Sequence, residues 1–276
     1  MFGKGGTLPP RTLLNRSSPR TPVKHPRHGT KLFSHIETRI WPTVSLAVIH
    51  AVPFLLDRAQ LLAHLRITNG VGGAPSPYWD DLNVLAGEAQ AIAKPKAAYR
   101  VAFVEDRGGA AVVIDGVRLT SRVLRVNLES VHCVFPYVAT CGAELDTWAQ
   151  ALDDMLQQYW ADVIKEMAMR EAVKSLFEHV KERHGLEKTA TMSPGSLADW
   201  PLTEQGPLFT ILGNVEASVG VKLTDSLVMI PNKTVSGLLF PSTDGFASCQ
   251  LCPREDCPGR LAPYDETLYD RRYCQG

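Results

Sequence analysis

The sequence has 276 residues, 45% hydrophobic and 21% charged, which excludes a disordered chain and allows one large domain or two small ones. Its 29 basic and 29 acidic side chains cancel, excluding a global electrostatic pull toward nucleic acid or an anionic membrane surface. Six cysteines, four of them in the last 28 residues, do not form the spread-out framework of a secreted disulfide protein; they point to a reducing, cytoplasmic setting and a ligand role.

Residues 1–45 read as a tail outside the fold. Eight basic side chains face one acid, Glu37, and six prolines break any helix. The apolar run from Val44 to Leu56 is too short to span a membrane and holds His50 and Pro53, so no membrane role is expected. Leu55, Leu56, Leu61, Leu62 and Leu65 then suit a short amphipathic helix over 54–67, and Asp80 to Ala93 a second one stopped by Pro95.

Strands are expected at Tyr99–Val104, Ala111–Ile114 and Val117–Leu119, the last two joined by the hairpin signal Asp115-Gly116. Residues 121–130 fit helix and strand equally. Val131 to Val138 reads as a strand, and Pro136 within it predicts an edge position or a bulge. From Leu145 apolar residues recur at three- and four-residue steps as far as Val180, ending in Lys181, Arg183, His184 and Gly185: one long helix near 145–184 that allows for a break near the middle. A helix over 205–219 and strands over 223–229 and 235–240 complete the pattern. Hairpins mixed with helices imply an α+β class.

Several short stretches carry a resemblance. Met192-Ser-Pro-Gly-Ser-Leu-Ala-Asp-Trp-Pro-Leu202 is followed by a helix, then by Leu223-Thr-Asp-Ser226, and then by Thr234-Val-Ser-Gly237; Ala139-Thr-Cys-Gly142 precedes the long helix. In that order they resemble the activation (reactivation) domain of vitamin B12-dependent methionine synthase, most specifically over residues 190–240. The resemblance implies a C-shaped α+β domain with a central twisted antiparallel sheet and flanking helices over residues 46–243. It also implies a groove for S-adenosylmethionine, a corrinoid-binding partner that carries the cobalamin, and an electron donor. The groove would involve Thr191, Pro194, Gly195, Ser196 and Phe246. Thr191 stands where the family has an arginine that can pair with the ligand's carboxylate, and Ser196 where it has a tyrosine. Weak binding of S-adenosylmethionine is therefore expected.

The resemblance stops short of residues 244–276, which read as an appended cysteine-rich knuckle. Cys249-Gln-Leu-Cys252 and Cys257 form a C-x2-C-x4-C array, with Cys274 further on as a fourth thiol. Closely spaced thiolates in a Pro- and Gly-rich turn can bind one metal, with reduced or disulfide-bonded cysteines as the alternative. Ferredoxin-like spacing favours a [4Fe–4S] cluster over zinc, which more often shows a second C-x2-C pair. Arg260 to Asp265 is expected to pack against this knuckle. The function implied is an accessory protein of a corrinoid-dependent methyl-transfer system that supports reductive reactivation of cobalamin. A methyltransferase subunit using S-adenosylmethionine, or a structural zinc protein that has kept the fold, are the alternatives.

Overall fold

Alternating apolar residues between turn signals build one sheet of eight strands, seen in a computed structural model that describes residues 45–50, 52–67, 77–257 and 260–274. The expected tail therefore lies outside the described residues, apart from Ser45. At the centre is β6 (Cys133–Thr140). On one side it pairs with β2 (Lys96–Tyr99) and then with β3 (Ala102–Gly108); on the other it pairs with β10 (Thr234–Pro241). The sheet extends past β2 to β1 (Ala47–Ile49), past β3 to β4 (Ala111–Ile114) and β5 (Val117–Thr120), and past β10 to β7 (Thr189–Met192). Every named pair is antiparallel, and with its flanking helices the architecture is α+β.

Pro136 corrects an expectation, since it sits in the middle of the central strand. The register runs from Tyr99↔Tyr137 to Ala102↔Val134, so β2 and β3 are one strand interrupted opposite the proline. Arg100 donates its backbone N–H to the Pro136 carbonyl at 3.1 Å, and proline has no N–H to return. The defect is confined to one missing bond on the β2/β3 side, while Pro136 still stands opposite Leu238 of β10.

Four helices pack at the N-terminal side: α1 (Arg58–Leu65), α2 (Trp79–Ile92), α4 (Ala143–Gln150) and the start of α5 (Met155–His184). They share a cluster of Leu61, Leu82, Leu85, Leu145, Trp160 and Ile164. The long helix is thus two helices, and the break lies at 151–154, near its start. Asp154 accepts from the Gln157 N–H at 2.9 Å and restarts the helix as an N-cap, while Gly185 ends it in the left-handed conformation.

Further along, Ala172, Leu176 and Val180 of α5 cover one face of the sheet against Tyr99, Phe135, Tyr137 and Leu239. Each fully buried Leu there contributes roughly 1.5–3 kcal/mol. The other face carries Val104, Val134, Val138, Leu238 and Phe240. It is covered by α3 (Arg122–Asn127), α6 (Gln205–Leu212), α7 (Val215–Val219) and Trp200.

Gly213 and Asn214 split the expected 205–219 helix into α6 and α7, with Asn214 capping the second. The expected 223–229 strand is instead a tight hairpin between β8 (Lys222–Leu223) and β9 (Met229–Ile230). Thr224 closes it, its hydroxyl bridging Ser226 and both backbone groups of Val228. In the C-terminal segment Phe246, Leu268 and Tyr273 are buried in the same core as the sheet. No helix among the described residues is long and apolar enough to cross a membrane.

Candidate ligand turn and cysteine loop

The Pro-Gly stretch leaves β7 directly. Gly195, at φ +81°, donates its N–H to the Trp200 carbonyl at 2.8 Å, and Ser196 turns back to the Ser193 carbonyl through both its N–H (3.1 Å) and its hydroxyl (2.6 Å). Trp200 is fully buried and anchors the far end of the turn. The turn lies beside β10 at Gly237. A Cβ on Gly237 would come within 2.8 Å of Ser193 Oγ and 3.0 Å of the Tyr137 hydroxyl, and nearer still to the Met192 carbonyl oxygen. Only glycine lets the two strands approach this closely.

Thr191 is engaged rather than free. Its hydroxyl shares a 3.0 Å hydrogen bond with Tyr137, whose phenol also meets Ser193 and whose ring packs edge-on against Phe177 of α5. Burial pushes the Tyr137 phenol above its ordinary value, so it stays neutral. On the outer edge of β7, Ala247 pairs with Thr191 in parallel and the Ser248 hydroxyl donates to the Thr191 carbonyl at 3.4 Å. Thus Thr191, Pro194, Gly195 and Ser196 do come together at one end of β7. Phe246 is only 4% exposed and its ring packs against Tyr273. A cleft of about 810 Å³ lies at the other end of β7, bordered by His132, Lys188, Asp244 and Arg272.

The Thr140-Cys141-Gly142 turn ends β6 opposite Thr234, where β10 begins. Gly142, at φ +94°, starts α4 where any side chain would strike the Lys94 carbonyl. Thr234 of β10 donates to Thr140 Oγ1 at 2.9 Å, so two stretches of the resemblance meet on adjacent strands. Beneath them lies a buried ion pair absent from the sequence reading. Lys165 reaches Asp146 and the Asn232 side-chain oxygen, both at 3.0 Å, with Asp162 at 3.5 Å. The Asp146 partner has no local signature, because Lys165 and Asp146 lie on different helices.

Cys249 lies in a 3-10 turn over Ser248–Leu251, Cys252 follows it, and both are half-buried, as is Cys257. Arg260, which the sequence placed against this segment, holds it together. Its guanidinium donates to the carbonyls of Cys249 (3.1 Å), Cys252 (3.4 Å), Ala262 (3.4 Å) and Arg254. Leu261 donates its N–H to Cys249 Sγ at 3.4 Å. Cys274 ends α8 (Leu268–Tyr273), exposed and directed to Asp270 Oδ1. Among the described residues no three His, Cys, Asp or Glu side chains stand close enough to share a metal ion.

No protein-family model matches the sequence, and no curated protein matches it. Among solved structures, the chain is similar to the crystal structure of the MetH reactivation domain bound to AdoHcy, with a TM-score of 0.53. The two are 17% identical over a match covering 74% of this chain and 80% of that one. The likeness, the antiparallel sheet and the order of its elements together give this chain the fold of the MetH reactivation domain.

Proposed function

We propose that the chain is an accessory protein of a corrinoid-dependent methyl-transfer system and supports reductive reactivation of cobalamin carried by a partner. The observation that supports this best is the meeting of the resembling stretches. Thr140 to Gly142, Thr234 to Gly237 and the turn from Ser193 to Trp200 lie on the neighbouring strands β6, β10 and β7 or lead out of them. They do so within a fold like that of a reactivation domain.

The corrinoid on the partner supplies the cobalt chemistry, and methyl transfer makes an uphill one-electron reduction productive by trapping its product. This chain contributes a surface and a turn. The solved neighbour holds AdoHcy, an S-adenosyl thioether. Here the backbone of Pro194, Gly195 and Ser196 would meet such a ligand, but Thr191 carries no charge and its hydroxyl is taken by Tyr137. A ligand carboxylate therefore lacks the ionic anchor of an arginine, which costs on the order of 2–5 kcal/mol where the contact is desolvated. This disfavours a self-sufficient methyltransferase.

Calorimetry with a corrinoid protein, loaded with cobalamin and stripped of it, tests the reading. Tighter association with the loaded form is expected, and no association in any cobalt oxidation state would refute it. S-adenosylmethionine alone is expected to bind weakly.

A further inference from the structure

Part of the helical layer at the N-terminal side bears charge of one sign only. Residues 79–93 and 143–164 hold α2, α4 and the start of α5, and they carry eight acidic side chains and no Lys, Arg or His. The chain as a whole balances 29 bases against 29 acids. Three of the eight are taken up inside the fold: Glu144 pairs with Lys96, Asp146 with Lys165, and Asp162 with Lys165 and Lys233. Asp80, Asp81, Glu88, Asp153 and Asp154 make no ion pair among the described residues. Arg58 of α1, which borders Trp79, donates to the Asn83 side chain at 2.6 Å rather than to a carboxylate.

The same helix ends expose large apolar side chains. Met155 is 83% exposed and Tyr159, one turn further along α5, is 53% exposed; Leu156 beside them is exposed as well. Tyr78 and Trp79 stand exposed at the start of α2, and the Tyr78 ring meets Trp160 of α5 edge-on at 6.0 Å. That contact joins the two helix ends. Trp160 itself is buried with Leu82 and Leu85, so the exposed rings rest on a fixed base. Asp80 and Asp81 follow Trp79 directly, and Asp153 and Asp154 precede Met155, so carboxylates flank the apolar side chains on both helices. Covering such side chains gains roughly 25 cal/mol for each Å² removed from water. Met and aromatic residues gathered on a surface, with a charged rim, are the composition of an interaction site.

We propose that this face docks a partner protein through a segment that combines Lys or Arg with apolar side chains, as a basic amphipathic helix does. Apolar residues of that segment would cover Met155, Leu156 and Tyr159, and its cations would meet Asp80, Asp81, Asp153 and Asp154. Cations also rest favourably on the faces of exposed Tyr and Trp rings. The acidic rim repels an anionic membrane, and it repels the same face of a second copy. Charge thus selects a basic protein over both. The inference does not depend on the corrinoid reading.

The test uses the full chain and two synthetic helical peptides, one of lysine and leucine and the other of glutamate and leucine, followed by calorimetry. The lysine peptide is expected to bind, less tightly as salt rises, and the glutamate peptide is not. Asp153→Lys together with Asp80→Lys should weaken binding about tenfold, and so should Met155→Ser together with Tyr159→Ser. All four side chains are exposed, so circular dichroism should be unchanged. Glu178→Lys is the control: it makes a single charge reversal on an exposed residue about five turns further along α5, and should leave binding within error of the wild type. Equal affinity for the two peptides would overturn the proposal, as would a Glu178→Lys loss as large as that of Asp153→Lys alone. A dimer in sedimentation that Met155→Ser with Tyr159→Ser abolishes would overturn it too, because a second copy would then be the occupant.

Discussion

Replacing Gly237 by alanine tests the packing of the ligand turn. The new methyl group would lie 2.8 Å from Ser193 Oγ and 3.0 Å from the Tyr137 hydroxyl, and closest to the Met192 carbonyl. A hydroxyl can rotate away, but the carbonyl belongs to β7 and is held there by the register Leu238↔Met192 through Pro241↔Thr189. Relief to ordinary contact needs β7 to move by about 1 Å, enough to weaken the ladder with β10. Overpacking of this kind costs about 1–3 kcal/mol, and the fixed carbonyl puts Gly237→Ala at the upper end. Gly87→Ala is the control: it lies in α2, where a Cβ meets nothing within 4 Å, and should stabilise by about 0.5–1 kcal/mol. Urea unfolding followed by circular dichroism should show a lower midpoint for Gly237→Ala with an unchanged slope. A midpoint within error of the wild type would refute the claim that β10 and β7 are in contact through a missing side chain.

The remaining expectations concern buried charges and thiols. Asp146→Asn takes the nearer carboxylate from buried Lys165, leaving Asp162 at 3.5 Å, and should cost toward the lower end of about 3–5 kcal/mol, whereas the double change Asp146→Leu with Lys165→Met should be far milder; equal losses in urea midpoints would contradict a buried ion pair. Burial, then Arg183 and His179, hold His184 below its ordinary 6.5, so its contribution is complete above that value and is lost as pH falls from 6.5 toward the lower folded value. The melting temperature of His184→Gln should accordingly depend less on pH in that window, and an unchanged slope would assign the effect elsewhere. Burial, reinforced by Asp146, pushes the Cys141 thiol up to about 12, so maleimide should label it only after unfolding, while the exposed Cys274 labels at once.

What was legible in the sequence was mostly local. The C-terminal end of α5 could be read from Lys181, Arg183, His184 and Gly185, because dipole and cap chemistry act within one turn. Asp115-Gly116 gave the β4–β5 hairpin for the same reason: both residues take positive φ. Failures came where distant chain decided the outcome. Pro136 reads as an edge or bulge residue, yet the sheet holds it centrally and in register by interrupting the facing strand. Thr189–Met192 has no strand signature of its own and becomes β7 through pairing with β10. In the candidate site, Pro194, Gly195 and Ser196 form the turn that leaves β7, but the partner of Thr191 was not foreseeable, since Tyr137 lies 54 residues earlier. The packing of Phe246 against Tyr273 was likewise not foreseeable, since no local pattern links the two.

The position of β10 has a kinetic consequence. It is the last strand of the sheet to be synthesised, yet it lands between β6 and β7, with Thr234 bonded to a residue 94 positions earlier. Until it arrives, one edge of β6 stands open along Phe135, Tyr137 and Val138, a template for another chain. The β3–β4–β5 meander and α5 involve only near neighbours in sequence and can form early. Refolding should therefore be limited by capture of β10, and its yield should fall with protein concentration as open β6 edges find one another instead.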